Sequence, residues 1–124
     1  MAATKVTLGV IADGALVDLR EIEQNSKSSD YTLVVADAGL HILHPTADNN
    51  PRTWTIPANA SVAFPIGTAI TFVNQINTIT IAITSDTLTD TSGNTGSRTL
   101  AVNGIATALK VGTTSWVVNG AGLT

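Results

Sequence analysis

The sequence contains no cysteine. That removes disulfide staples and thiolate chemistry, and leaves packing and backbone pairing to hold the fold. Charge is scarce as well, since Asp, Glu, Lys and Arg make up 12% of the 124 residues, about half the share of an ordinary globular domain. Aromatics are fewer still: two Trp, two Phe and one Tyr cannot furnish the paired carboxylates and ring platforms of a glycan-cleaving cleft. A net charge of −3 excludes a basic face for neutralising phosphates, so nucleic acid is not an expected partner. No apolar run approaches bilayer length and no basic stretch leads into an apolar one at the N-terminus. The expectation is a soluble chain with neither membrane partner nor visible export signal.

The charge that exists is displaced to one end. Residues 56–124 carry only Asp86, Asp90, Arg98 and Lys110, and the first 55 residues carry the other eleven. This divides the chain into a charged arm at 1–29 and a neutral domain at 30–124, of a size that supports one core. Within the arm, Val6, Leu8 and Val10 alternate before the Asp13-Gly14 turn signal. Leu16, Leu19 and Ile22 fall at helical spacing, which leaves a short helix and an extended arm both open.

From Tyr31 onward the pattern has period two. "YTLVV" and "LHIL" flank the turn "ADAG" and read as a hairpin stopped by His44-Pro45. "RTWTI" is a short strand ended by Pro57, "PANAS" is a turn by composition, and "AITFVN" follows Gly67. In "NTITIAIT" Ile79, Ile81 and Ile83 share one face, with Thr78, Thr80, Ala82 and Thr84 on the other. "TDTSGNTGS" at 89–97 is an exposed loop without an apolar anchor. Asn103-Gly104 between two alternating runs is the strongest hairpin signal in the chain, and "SWVVNGAGLT" supplies the last strand. Seven to nine short strands predict an all-β domain, a small antiparallel β-sandwich or jelly-roll-like barrel with an N-terminal arm. A parallel sheet would call for crossover helices, which are not in the pattern.

Chemistry is sparse. His41 and His44, with Asp37 and Asp48 nearby, are the most suggestive cluster, but residues three apart on a strand point to opposite faces and do not converge on one metal. They read as hydrogen-bonded structural histidines. No Gly-x-Ser-x-Gly elbow is present, and two histidines on one strand give poor material for a triad. The acid pairs Asp86/Asp90 and Glu21/Glu23 read as solvated. "SGNTGS" lacks the Lys and following helix of a P-loop, and "DTLTD" has too few acids for a calcium loop. The expectation is a non-enzymatic protein with no catalytic residue, cofactor or metal.

A β domain this poor in charge exposes neutral surface and sheet edges, and both favour regular association with identical copies in closed symmetry. "YTLVVADAGLHI", then "TWTIPANASVAFPIGTAITFVNQ", a Thr/Ile strand, and "TLAVNGIATALKVGTTSWVVNGAGL" together resemble a β-rich module of tailed-bacteriophage virion structural proteins. The likeness covers residues 30–122, with the Pro, Asn, Ser, Phe-Pro and Gly-Thr elements in order. It implies a multimeric virion component on the particle surface, assembled in the host cytoplasm, and by analogy a trimer. Two placements follow. A capsid decoration or cement protein would bind the major capsid protein, with Asp13, Asp18, Arg20, Glu21 and Glu23 of the arm forming salt-sensitive pairs. A tail-fibre, tail-tip or head-fibre module would meet host receptors. Trp54, Phe64 and Trp116 are the apolar contact candidates, and loop 89–97 joins the tryptophans in the receptor-binding version.

Overall fold

Thr and Ile at alternate positions suit a pleated surface with one buried face, and the chain uses that pattern to build strands almost throughout. The computed structural model describes residues 21–124. The arm positions Asp13, Asp18 and Arg20, and the alternatives of helix or extended arm before residue 21, lie outside the described residues. Nine strands follow: β1 (Gln24–Ser26), β2 (Tyr31–Thr32), β3 (His41–His44), β4 (Arg52–Ile56), β5 (Ala69–Asn74), β6 (Ile79–Ile83), β7 (Thr87–Thr89), β8 (Arg98–Gly112) and β9 (Ser115–Leu123). The helical content among the described residues is one 3-10 turn, Val35–Asp37. The domain is all-β, with a mixed sheet.

The odd strands β1, β3 and β5 pair in parallel, and so do the even strands β2, β4 and β6. The chain lays one strand in the first stack, crosses to the second, and returns one level up. Three such coils give a short solenoid-like pile with two facing parallel stacks. Inward side chains line up by register: Asn25, Ile42, Phe72 and Ala106 in one stack, and Tyr31, Trp54 and Ile81 in the other. The two meet where Trp54 packs against Phe72 at a centroid separation of 6.1 Å. Ile56, Ile70, Ile79, Leu88, Leu100 and Val118 fill the rest of a single core. Each such side chain fully withdrawn from water contributes about 1.5–3 kcal/mol before entropy is counted.

β8 closes the pile. Its first residues, Arg98 to Leu100, run antiparallel to β6, and Ile105 to Leu109 run antiparallel to β5. One strand therefore caps the top edge of both stacks, and β9 folds back along it. The bend falls at Asn103, which takes φ +64°, and at Gly104, where an added Cβ would lie 2.6 Å from Leu100 Cδ1. Asn tolerates the left-handed region that the bend needs.

Several expectations from the sequence are corrected here. The antiparallel sandwich or jelly-roll-like barrel gives way to a mixed sheet in which five of the eight strand pairings are parallel. Parallel pairing needs no helix here, because each crossover is itself a strand of the opposite stack. The hairpin expected across "ADAG" does not form: Tyr31 and His41 belong to different stacks. Asn103-Gly104, expected to join two strands, bends one strand instead, with the positive φ at Asn103, and the hairpin lies at Thr113-Thr114, between Gly112 and its partner Ser115. Gln24–Ser26, counted with the arm, form β1 and pair with β3.

Candidate functional site

Alternation along β3 turns Ile42 and His44 inward and leaves His41 and Leu43 partly exposed outside. His41 is satisfied locally: Nδ1 donates to the Ile22 carbonyl at 2.9 Å, and Nε2 meets the Gln24 amide nitrogen at 3.1 Å. His44 is fully buried. The two imidazoles occupy opposite faces, and among the described residues no three His, Asp or Glu side chains gather as a metal would require.

His44 instead belongs to a polar clasp at one end of the core. Asn74 on β5 donates through Nδ2 to the carbonyls of Asn77, 2.9 Å, and Leu100, 3.1 Å, which turns its Oδ1 toward His44 Nδ1 at 2.8 Å. His44 Nε2 lies 3.0 Å from Asp48 Oδ2, so both ring nitrogens face acceptors. Arg52 of β4 then grips Asp48 in bidentate fashion, Nε to Oδ2 at 2.7 Å and Nη2 to Oδ1 at 2.8 Å. Bonds from Arg52 and Asn50 hold the Asp48 carboxyl well below the ordinary carboxylate range, against a partial burial penalty. This network connects β3, β4, β5 and the β8 backbone, which is a structural assignment.

A second clasp closes the bottom coil. The buried Asp37 carboxylate accepts from Asn25 Nδ2 at 2.9 Å, Tyr31 hydroxyl at 2.7 Å and Val34 N–H at 2.9 Å. Burial first, and the bond to Asp37 second, push the Tyr31 phenol up to about 12. Loop 89–97 is anchored by a polar side chain: Asp90 accepts from the N–H groups of Ser92 and Asn94 at 2.8 and 2.9 Å and from Arg98 Nη1 at 3.0 Å. Asp86, paired with Asp90 by sequence spacing alone, accepts the Asn59 N–H at 2.9 Å instead.

A third polar group is centred on Lys110, which is 1% exposed. Its Nζ donates to Asn59 Oδ1 at 2.6 Å and to the Phe64 carbonyl at 2.8 Å. Trp116 lies beside it, ring centroid 5.9 Å from Nζ, with Phe64 edge-on to that ring at 5.6 Å. The sequence reading missed this site, because a lone Lys in an alternating run reads as solvent-facing. Its one signal is phase: Lys110 continues the buried series Ala106, Ala108 along β8.

The outer face of the cap has a different character. Ile105, Thr107 and Leu109 of β8 stand opposite Ala121, Asn119 and Val117 of β9, and opposite Val73, Thr71 and Ala69 of β5. None of these nine side chains is charged. Ile105, Leu109, Val111 and Val117 are all exposed there. A depression of about 370 Å³ lies beside them, lined by Thr89, Thr107, Leu109, Val117 and Asn119 among others.

Of the contact residues expected from sequence, Glu21 and Glu23 are exposed. Trp54, Phe64 and Trp116 are not available as surface contacts: all three are buried in the core at 0, 3 and 1% exposure, where their large apolar area is used within the chain. No helix among the described residues is long and apolar enough to cross a membrane. Comparison with protein-family models and with curated protein sequences finds no match.

Proposed function

We propose that this chain is a non-enzymatic structural protein of a tailed-bacteriophage particle, acting as a capsid decoration protein that binds the head lattice. The observation that carries this reading is the uncharged outer face of β5, β8 and β9, whose Ile105, Leu109, Val111 and Val117 are exposed. Apolar side chains contiguous on a rigid sheet mark an association surface. The face fits a neighbouring copy, and a homotrimer is the assembly proposed. The resemblance of residues 30–122 to virion modules supports the setting. The polar clusters read as internal clasps, which suits a structural role.

A second reading, a tail-fibre, tail-tip or head-fibre module that meets host receptors, is favoured by the stacked coils. The pile is capped at β8, and among the described residues β1 and β2 are its terminal strands at the other end, the form of the last unit of a rod. Locating the chain in density of an intact particle tests both. Density at regular points of the head lattice is the expected result, density on fibres would favour the second reading, and absence from the particle would overturn both. For the assembly, light scattering on the purified chain should report a trimer, and L109D with V117D should report a folded monomer.

A further inference from the structure

Among the described residues Lys110 is the one Lys or Arg side chain that is buried, and no carboxylate lies within ion-pair distance of it. Burying an ammonium against neutral partners is costly, and the arrangement calls for an explanation. Its surroundings are a reactive set. The amine touches the side-chain carbonyl of Asn59 at 2.6 Å, which puts the carbonyl carbon one bond from the contact, close to the separation of about 3–3.5 Å at which oriented groups react. The Phe64 carbonyl holds the same nitrogen at 2.8 Å, fixing its direction. Phe64 and Trp116 wall the pair on an apolar side. Asp86 grips the main-chain N–H of Asn59 at 2.9 Å, which sets a carboxylate next to the residue that would be attacked.

We propose that Lys110 and Asn59 join in an intramolecular isopeptide bond. The lone pair of the uncharged amine attacks Asn59 Cγ, and the carbonyl electrons move onto Oδ1. The intermediate collapses with cleavage of the Cγ–Nδ2 bond. Two protons pass from Nζ to Nδ2 if the lysine enters as ammonium, so the products are a secondary amide and an ammonium ion. No atom changes oxidation state and no co-reactant is needed. Asp86 is a positioning residue: its carboxylate accepts the Asn59 main-chain N–H at 2.9 Å and so holds Asn59 in place for the attack. The bond ties the bent cap strand to the loop between β4 and β5 and closes a covalent ring running from residue 59 to residue 110. This inference concerns the chain itself and holds for either placement on a particle.

Trypsin and mass spectrometry test it on the full purified chain, denatured after incubation at neutral pH. The sequence has Lys or Arg at 5, 20, 27, 52, 98 and 110, and trypsin does not cut after an acylated lysine. The expected product is peptide 53–98 covalently joined to an uncut peptide 99–124, lighter than the sum of the two by one ammonia. Free peptides 99–110 and 111–124 in wild-type protein would overturn the proposal. N59A and the charge-retaining K110R should both abolish the joined species. D86N, which keeps an oxygen to accept the Asn59 N–H, should join near the wild-type rate, whereas D86A, with an unchanged circular dichroism spectrum, should slow joining at least tenfold. Joining at the wild-type rate in D86A would overturn the positioning role assigned to Asp86.

Discussion

Leu100 and Ile105 lie five residues apart in one strand, yet Leu100 pairs with Ile79 in one stack and Ile105 with Val73 in the other. Everything between them serves the crossing. Asn103 supplies the positive φ, and β9 follows the bend so closely that a Cβ on Gly120 would sit 2.1 Å from the Ile105 carbonyl oxygen. Because the obstacle is backbone, it cannot swing aside. G120A should therefore lose about 1–3 kcal/mol or more, read as a lower urea midpoint. At Asn103, substitution by Gly should be near neutral, whereas N103V should cost about 1–2 kcal/mol for forcing a branched residue into the left-handed region. Equal stability of N103V and N103G would show that the bend does not depend on that φ.

The Asn74 side chain serves three partners within 3.1 Å at once, and removing it strands them. In N74A the His44 Nδ1 and the carbonyls of Asn77 and Leu100 lose their partner. Each buried group left unpaired costs about 1–3 kcal/mol. N74D should be no rescue, since a carboxylate cannot donate to the two carbonyls. Thermal unfolding of both variants checks this, and a change in Tm of a degree or less in N74A would contradict it.

Acid should loosen the same clasp. The Asp48 carboxyl is held below its ordinary value, chiefly by Arg52. Its contribution is complete above the unfolded carboxylate value of about 4 and is progressively lost as pH falls below that. A urea midpoint followed from pH 7 to pH 2 should decline in that lower window. D48N should start less stable and show a shallower acid limb. Asp90, also lowered, chiefly by Asn94, contributes in the same direction, so D48N should reduce the slope without flattening it.

The single tyrosine gives an optical handle at the opposite end of the scale. Tyr31 is raised to about 12, first by burial and then by its bond to Asp37. A raised value contributes stability that is whole below the unfolded phenol value of about 10 and is lost as pH climbs toward the folded one. The near-ultraviolet phenolate band should rise close to pH 12 in the folded chain and near pH 10 in urea. Y31F should cost about 1–3 kcal/mol, the worth of a bond to a buried carboxylate, and titration near pH 10 without denaturant would contradict the partly buried, Asp37-bonded placement.

The strands were legible in the sequence because their signal is local. Ile79 and Ile81 alternate with Thr80 and Ala82, and burial follows that alternation. The opposite faces of His41 and His44 followed from the same period. Pairing was not legible, since Trp54 lies beside Tyr31 and Ile81 through coils that close over twenty or more residues. A turn signal states that the chain changes direction, not which strand it meets next, and Asn103-Gly104 met that demand by bending one strand. The Lys110 site was hidden for another reason: composition treats lysine as solvent-seeking, and only the phase of β8 reveals that it faces inward.

The cap also sets the order of assembly. Both parallel stacks end on β8, which follows every coil in the chain, and its partners in β5 lie 32 to 40 residues earlier. Three coils made during synthesis therefore wait, their upper edges unpaired, until the bend at Asn103 has left the ribosome. Such distant pairing makes folding slow and leaves the unfinished edges exposed to neighbouring chains. Any delay at that bend lengthens the interval in which newly made copies can stick to one another.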